Sequence, residues 1–212
     1  MPELKTTRTR NASRTKEDIL AAAQAEFVEH GLAGARIDRI AKAAGCNKQL
    51  IYSYVGNKLE LFQALMTERL AEMELFNADR PEDGGEALAA QVAFHASHQD
   101  LMRLAMWEVL SLDEPVETEK RTKMLEKFVV EIKDEIAQGH YPSNTNPQQM
   151  ALTLIGTSVY PVIMPYIAEM LTGEKPDSAK FIAERQEHIR LLVRQLEAGA
   201  KVLAEEEKTK ET

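Results

Sequence analysis

Between Gly45 and Gly56 the chain sets Asn47, Lys48, Gln49, Tyr52 and Tyr54 within about two turns of a short helix. Lysine and tyrosine can hold phosphate oxygens, and glutamine can pair with an adenine edge in the major groove of duplex DNA. The chemistry available here is recognition, with no bond made or broken. Arg36 upstream and Lys58 downstream add positive charge at the borders of the segment. Ile51 and Val55 form the opposite, apolar side. Leu50 lies roughly 100° round the helix from Ile51, so it is expected to face DNA, where it could pack on a thymine methyl; the alternative is a core position. Cys46 is either a buried small residue or a redox switch.

Such a segment works only if two short helices cross steeply through a tight turn. Ile37, Ile40, Ala41 and Ala44 give the helix before the turn one apolar face, and Gly45 can take the positive φ that the turn demands. Asn47 is a good N-cap for the helix that follows, and Gly56 ends it. A preceding helix is expected to start near Thr15, with Asp18 completing a capping box, to bury Ile19, Ala23 and Phe27, and to stop at Gly31. The stretch before it, with Arg8, Arg10 and Arg14, reads as a flexible basic arm. Residues 1–60 carry ten Lys/Arg against seven Asp/Glu, a balance of +3. The other 152 residues carry sixteen against twenty-seven, −11, which completes the net −8. A basic end on an acidic body is the pattern of a chain that binds a polyanion with one end only.

The run Gly31-Leu-Ala-Gly-Ala-Arg-Ile-Asp-Arg-Ile-Ala-Lys-Ala-Ala-Gly45, followed by Asn47-Lys-Gln-Leu-Ile-Tyr-Ser-Tyr-Val-Gly-Asn-Lys-Leu-Glu-Leu61, resembles the DNA-binding domain of the tetracycline-repressor (TetR/AcrR) family. The Ile-Ala-x-Ala-Ala-Gly block at Ile40–Gly45, the Ile51-Tyr52 pair and Gly56-x-Lys58 fall in its register, and Thr15 to Leu61 carry the likeness. The resemblance implies a homodimer with a three-helix DNA-binding domain and a C-terminal domain that binds a small inducer. It implies that Tyr52, Tyr54 and Lys58 contact phosphates and that Asn47, Lys48, Gln49 and Leu50 occupy recognition positions. Arg36 stands where Ser or Thr commonly caps the second helix; it cannot cap that way but could still bind phosphate. Val55 replaces a common phenylalanine and Gln49 a common glycine, departures that bear on the operator sequence and leave the fold alone.

Beyond Leu61 almost every segment has helical periodicity: helices are expected at about 58–77, 86–99, 101–112, 117–138, 147–171 and 178–206, with a fraying tail. Helix 101–112 is apolar nearly all round, so Glu108 needs a partner there, either Arg103 or Arg121 or the amine or hydroxyl of a ligand. Phe94, Met102, Met106, Trp107, Glu108, Tyr160 and Met164 are the candidate lining of an apolar pocket, and core packing is the competing explanation. His95 and His98 have a spacing that can chelate a metal, but no third ligand is apparent, and buried, hydrogen-bonded histidines are expected instead. Pro161 and Pro165 kink the helix 147–171, widening a cavity or ending it early. Helices 147–171 and 178–206 are the expected dimer interface.

The 212 residues, 44% hydrophobic and 28% charged, hold ample material for cores. One cysteine excludes an intrachain disulfide, and no apolar run reaches the length of a membrane span. No phosphate-binding glycine loop, nucleophile motif or metal-ligand cluster argues for an enzyme or a cofactor. The expectation is therefore an all-α, cytoplasmic, non-membrane transcriptional regulator. Residues 1–61 form the basic arm and helix-turn-helix domain, and residues 62–212 a larger helical domain for ligand binding and dimerisation. It would bind a palindromic double-stranded operator as a homodimer and be released by a small apolar or cationic inducer. A helical interaction protein, or an activator of the same fold without inducer release, is the alternative.

Overall fold

In the computed structural model, which describes residues 3–210 and the side chains of 15–206, 208 and 209, the described residues form helices without strands. They divide into two compact units, one of Met1–Leu75 with Asp100–Glu117, the other of Phe76–Gln99 with Thr118–Thr212.

The first unit holds α1 (Glu3–Gly34), α2 (Ile37–Ala43), α3 (Lys48–Val55) and most of α4 (Lys58–Ala78) and of α6 (Gln99–Ser111). α1 does not begin at Thr15. No glycine or proline interrupts residues 3–30, so the expected arm has helical backbone; the side chains of Arg8, Arg10 and Arg14 lie outside those described. Gly31, at φ 65° and ψ −179°, does break the helix, as its position suggests. Ile19, Ala23 and Phe27 of α1 meet Ile37, Ile40 and Ala41 of α2, Ile51 of α3 and Leu61, Phe62, Leu65 and Met66 of α4 in one buried cluster. Phe27 and Phe62 meet edge to face, with ring centroids 5.2 Å apart. Leu104 of α6 is fully buried in the same cluster. That burial assigns α6 to the first unit, although its position in the chain suggests the C-terminal body.

Glu26 of α1 has a role that sequence reasoning missed. Arg36 occupies the N-cap of α2 and its side chain makes no cap bond. Its N–H donates instead to Glu26 Oε1 at 2.8 Å, so a carboxylate from the neighbouring helix satisfies the start of α2. Arg39 Nε donates to the same carboxylate at 2.8 and 3.0 Å. Burial pushes the Glu26 pKa up, but the bonds from Arg39 and Arg36 and the charges of Arg39 and His30 outweigh it, and the net shift is downward from 4.5. A carboxyl whose folded pKa is depressed stabilises the fold above its unfolded pKa and loses that contribution as pH falls through the folded value. Glu26→Gln should therefore cost about 1–3 kcal/mol at pH 7 in urea unfolding. The gap between variant and parent should close as pH falls below about 4. A gap that is the same at pH 3 and pH 7 would show that Glu26 acts without its charge.

The second unit contains α5 (Gly84–Ser97), α7 (Thr118–Ala137), α8 (Pro147–Ile163), α9 (Pro165–Thr172) and α10 (Ala179–Lys210). α5 and α10 run antiparallel: Arg190 bonds both oxygens of Glu86 at 2.9 and 3.0 Å, and Gln186 donates to the Ala89 carbonyl. Leu88, Val92, Ile132, Tyr141, Ala151, Leu154, Ile189 and Val193 form its core. The expected helix 147–171 is two helices bent by 88°, because Pro165 ends α8 and supplies the N1 residue of α9. α10 continues to Lys210, past the expected fraying point. No single described helix is long and apolar enough to cross a membrane.

Candidate DNA-binding surface

The turn before α3 is built from backbone. Gly45 sits at φ 64°, and the Cys46 N–H reaches back to the Ala41 carbonyl at 3.0 Å, closing the end of α2 in the manner of a left-handed glycine cap. Asn47 Oδ1 then accepts the Leu50 N–H at 2.8 Å and starts α3. At the far end Gly56, φ 76°, stops α3, and Asn57 with Glu60 forms a reciprocal capping box for α4. Both ends of α3 are thus fixed by residues adjacent to it in sequence.

Of α3 only Ile51 is buried. Lys48, Gln49, Tyr52 and Tyr54 are exposed, the two tyrosines by 50% and 40%, and Leu50 is half-buried. Lys48 is paired with Asp38 of α2 at 2.5 Å. Both partners are exposed, and a pair in water is worth so little that phosphate oxygens can compete for the ammonium. Lys58 also braces the link between α1 and α2, where its ammonium donates to the carbonyls of Ala33 and Ala35 at 3.2 and 3.1 Å. Two of its three N–H groups are used, leaving one for phosphate. Arg36 and Lys42 are exposed on the same unit. Cys46 is half-buried, and burial raises its thiol pKa, the opposite of what a reactive thiolate needs.

The seven candidate pocket residues divide between the two units. On α6, Met102 is buried and Met106 40% exposed. Trp107 donates its indole N–H to the Val28 carbonyl at 3.3 Å and lies over Gly31, packing on the end of α1. Glu108 accepts the Val116 N–H at 2.8 Å. The expectation of a cationic ligand rests on that carboxylate, which is engaged by backbone of its own unit. In the second unit Phe94 is stacked between Phe76 and His98, with centroids 4.4 and 4.1 Å away, while Tyr160 and Met164 are nearly half exposed. His98 Nδ1 lies 2.8 Å from the Phe94 carbonyl, and His95 is buried and hydrogen-bonded to the backbone of Ser158. No group of three potential metal ligands gathers among the described residues.

A short helix fixed at both ends, bearing amide, phenol and ammonium groups on an exposed face and joined through a glycine turn to a packed partner helix, defines a helix-turn-helix DNA-binding protein. Known proteins point the same way. Residues 19–65 match the model described as bacterial regulatory proteins, tetR family. The HTH-type transcriptional repressor SCO4008 of Streptomyces coelicolor is 34% identical over 167 residues, covering 77% of this chain and 86% of the relative. The chain belongs to the tetR family of bacterial regulatory proteins, a family of transcription regulators rather than an enzyme class. Among solved structures, the transcriptional regulator SCO4942 of Streptomyces coelicolor superposes with a TM-score of 0.72 at 23% identity, over 85% of this chain and 97% of its own. FadR of Bacillus subtilis, solved in complex with stearoyl-CoA, gives 0.64 at 19% identity, over 84% and 96%. At those identities the likeness speaks for the fold.

Proposed function

We propose that this regulator is a repressor that binds a palindromic operator as a homodimer and is released by a small molecule. The observation that carries the DNA reading is the exposed face of α3, with Gln49 foremost between a capped N-terminus and the phenols of Tyr52 and Tyr54. Asn47 and Leu50 flank Gln49 at the groove, while Lys48, Tyr52, Tyr54, Lys58 and Arg36 hold phosphates on either side. A relative named as a repressor supports the direction of control, and a fold neighbour holding an acyl thioester supports ligand control. In this reading residues 1–61 touch DNA and residues 62–212 supply ligand binding and dimerisation.

Tyr52→Phe should weaken binding to all sequences alike, and log K should fall against log salt with a slope of about −0.9 per neutralised phosphate. Gln49→Ala should instead relax preference at one base position in each half-site, costing about 1–3 kcal/mol at the preferred base. An unchanged site-selection profile for Gln49→Ala would remove its base-reading role. Lys58→Ala should weaken binding and stability together, since its ammonium braces Ala33 and Ala35.

Ligand release requires a molecule that favours a conformation in which the two α3 helices of the dimer no longer fit successive major grooves. α4 is the proposed transmitter, since one continuous helix carries residues of both units. Linkage requires that operator weaken the ligand by the factor by which ligand weakens operator, roughly 5–150-fold for couplings of 1–3 kcal/mol. Equal ligand affinity with and without saturating operator would rule the switch out. Trp107, beside Gly31, is placed to report on the DNA-binding unit rather than on ligand occupancy.

A further inference from the structure

Pro161 lies inside α8 and has no N–H, so the Thr157 carbonyl four residues earlier loses its helical donor. Arg185 of α10 supplies the replacement, donating through Nη2 at 2.8 Å. The next carbonyl along α8 is that of Ser158, and the ring of His95 on α5 bonds the Ser158 backbone. That bond favours the protonated ring, so it is a ring N–H donating to the carbonyl. The backbone around the missing ladder bond is thus met by a guanidinium and by an imidazole.

Each of these side chains has a further group left over. Arg185 Nε is buried and has no partner among the described residues. Burial moves the Arg185 pKa downward, and no carboxylate among the described residues forms an ion pair with its guanidinium. Of the acids on the flanking turns, Glu86 and Glu187 face Arg190, Glu187 also faces Arg194, Glu174 holds Lys180, and the charge of the exposed Glu184 acts on Lys180. A half-buried guanidinium stays charged, and leaving it unpaired is costly. His95 is 7% exposed and its Nδ1 is likewise buried without a partner. Burial holds the ring neutral, with a pKa of about 4, so its one N–H serves Ser158 and Nδ1 presents a bare lone pair. Beside Pro161, Tyr160 and Met164 are nearly half exposed and offer apolar surface.

We propose that the ladder gap at Pro161 in the second unit is the ligand subsite, and that it takes a small organic acid whose carboxylate pairs with Arg185 and whose neighbouring hydroxyl donates to His95 Nδ1. The proposal rests on the ligand-controlled reading above and names its ligand class. The apolar part of the acid lies against Tyr160 and Met164.

The test uses the full-length protein and calorimetric titration with straight-chain carboxylic acids of four to ten carbons and phenylalkanoic acids, each beside its matched amine and alcohol. At least one acid should bind about tenfold more tightly than both counterparts, the margin of a charge-assisted over a neutral hydrogen bond. A 2-hydroxy group on that acid should add about fivefold, the worth of one hydrogen bond. Arg185→Gln keeps a donor for the Thr157 carbonyl and should abolish the preference for the acid, whereas Arg185→Lys should retain it within a few-fold. His95→Leu should remove only the increment from the hydroxyl. The ranking on the unaltered protein decides the matter even if a variant fails to fold: no acid exceeding its amine and alcohol overturns the subsite. An amine that binds more tightly and still releases DNA overturns the carboxylate while leaving ligand-released repression standing. An acid that binds through Arg185 without changing DNA affinity upholds the subsite and overturns the ligand-released reading.

Discussion

Leu152→Glu and Leu191→Glu should each sediment as monomers that keep the thermal midpoint of a folded chain but lose about 10³-fold in affinity for specific DNA, down to the level of non-specific binding. Leu152 on α8 is 65% exposed and Leu191 on α10 is 46% exposed. A glutamate at either position remains in water within an isolated protomer and costs it little. In the proposed dimer, α8 and α10 of two copies would pack across the two-fold axis, and the same carboxylate would be buried and unpaired. Loss of the dimer would leave one α3 for one half-site, so the energy of simultaneous engagement would disappear. α9 extends the exposed apolar surface with Tyr166, Met170 and Leu171. Leu196, which stands in the apolar stripe of the same helix, is the wrong place for this test. It packs against the core of its own unit, so a charge there would attack the fold first. Intact dimers for both Leu152→Glu and Leu191→Glu in sedimentation would move the interface off these two helices.

Local chemistry decides what is legible in the sequence. Gly31, Gly45 and Gly56 all take positive φ, and Asn47 caps α3, because each of these outcomes depends on a residue and its immediate neighbours. The apolar face of α2 and the inward Ile51 follow from a period that needs no knowledge of what lies opposite. The parts that are not legible depend on residues distant in the chain. Glu26 is one more acid on a charged helix until α2 is folded against it, and then it becomes the acceptor that Arg36 cannot provide for itself. Chain order puts α6 with the C-terminal body, yet Leu104 buries with Phe27 and Phe62. Trp107 and Glu108 follow α6 into the first unit, whereas Phe94, Tyr160 and Met164 belong to the second. Pro161 announces an orphaned carbonyl in the sequence, but nothing in the sequence says that Arg185, on another helix, answers it.

Gly31→Ala should destabilise the protein by about 2–5 kcal/mol, from two separate causes. The first is backbone: at φ 65° a residue with a Cβ is strained, at about 1–2 kcal/mol. The second is space, for a Cβ built on Gly31 would stand 2.6 Å from Trp107 Cε3 and 2.7 Å from Cδ2. The indole cannot simply swing aside, since its N–H is bonded to the Val28 carbonyl. Overpacking of this kind typically costs about 1–3 kcal/mol. Gly34→Ala is the control, because its nearest neighbour would be His30 Cβ at 3.4 Å and its φ is ordinary. The two causes separate in a double-mutant cycle. Trp107→Ala removes the atoms that the new Cβ meets, so Gly31→Ala in that background should cost only the backbone share. Additive effects of the two substitutions would mean that the indole yields and that strain alone acts. The consequence reaches DNA, because Gly31 begins the turn whose carbonyls at Ala33 and Ala35 hold Lys58, and whose next residue, Arg36, opens α2. A shift there displaces the support on which α3 rests. Gly31→Ala should therefore lower operator affinity even under conditions where the protein remains folded, whereas Gly34→Ala should leave it unchanged.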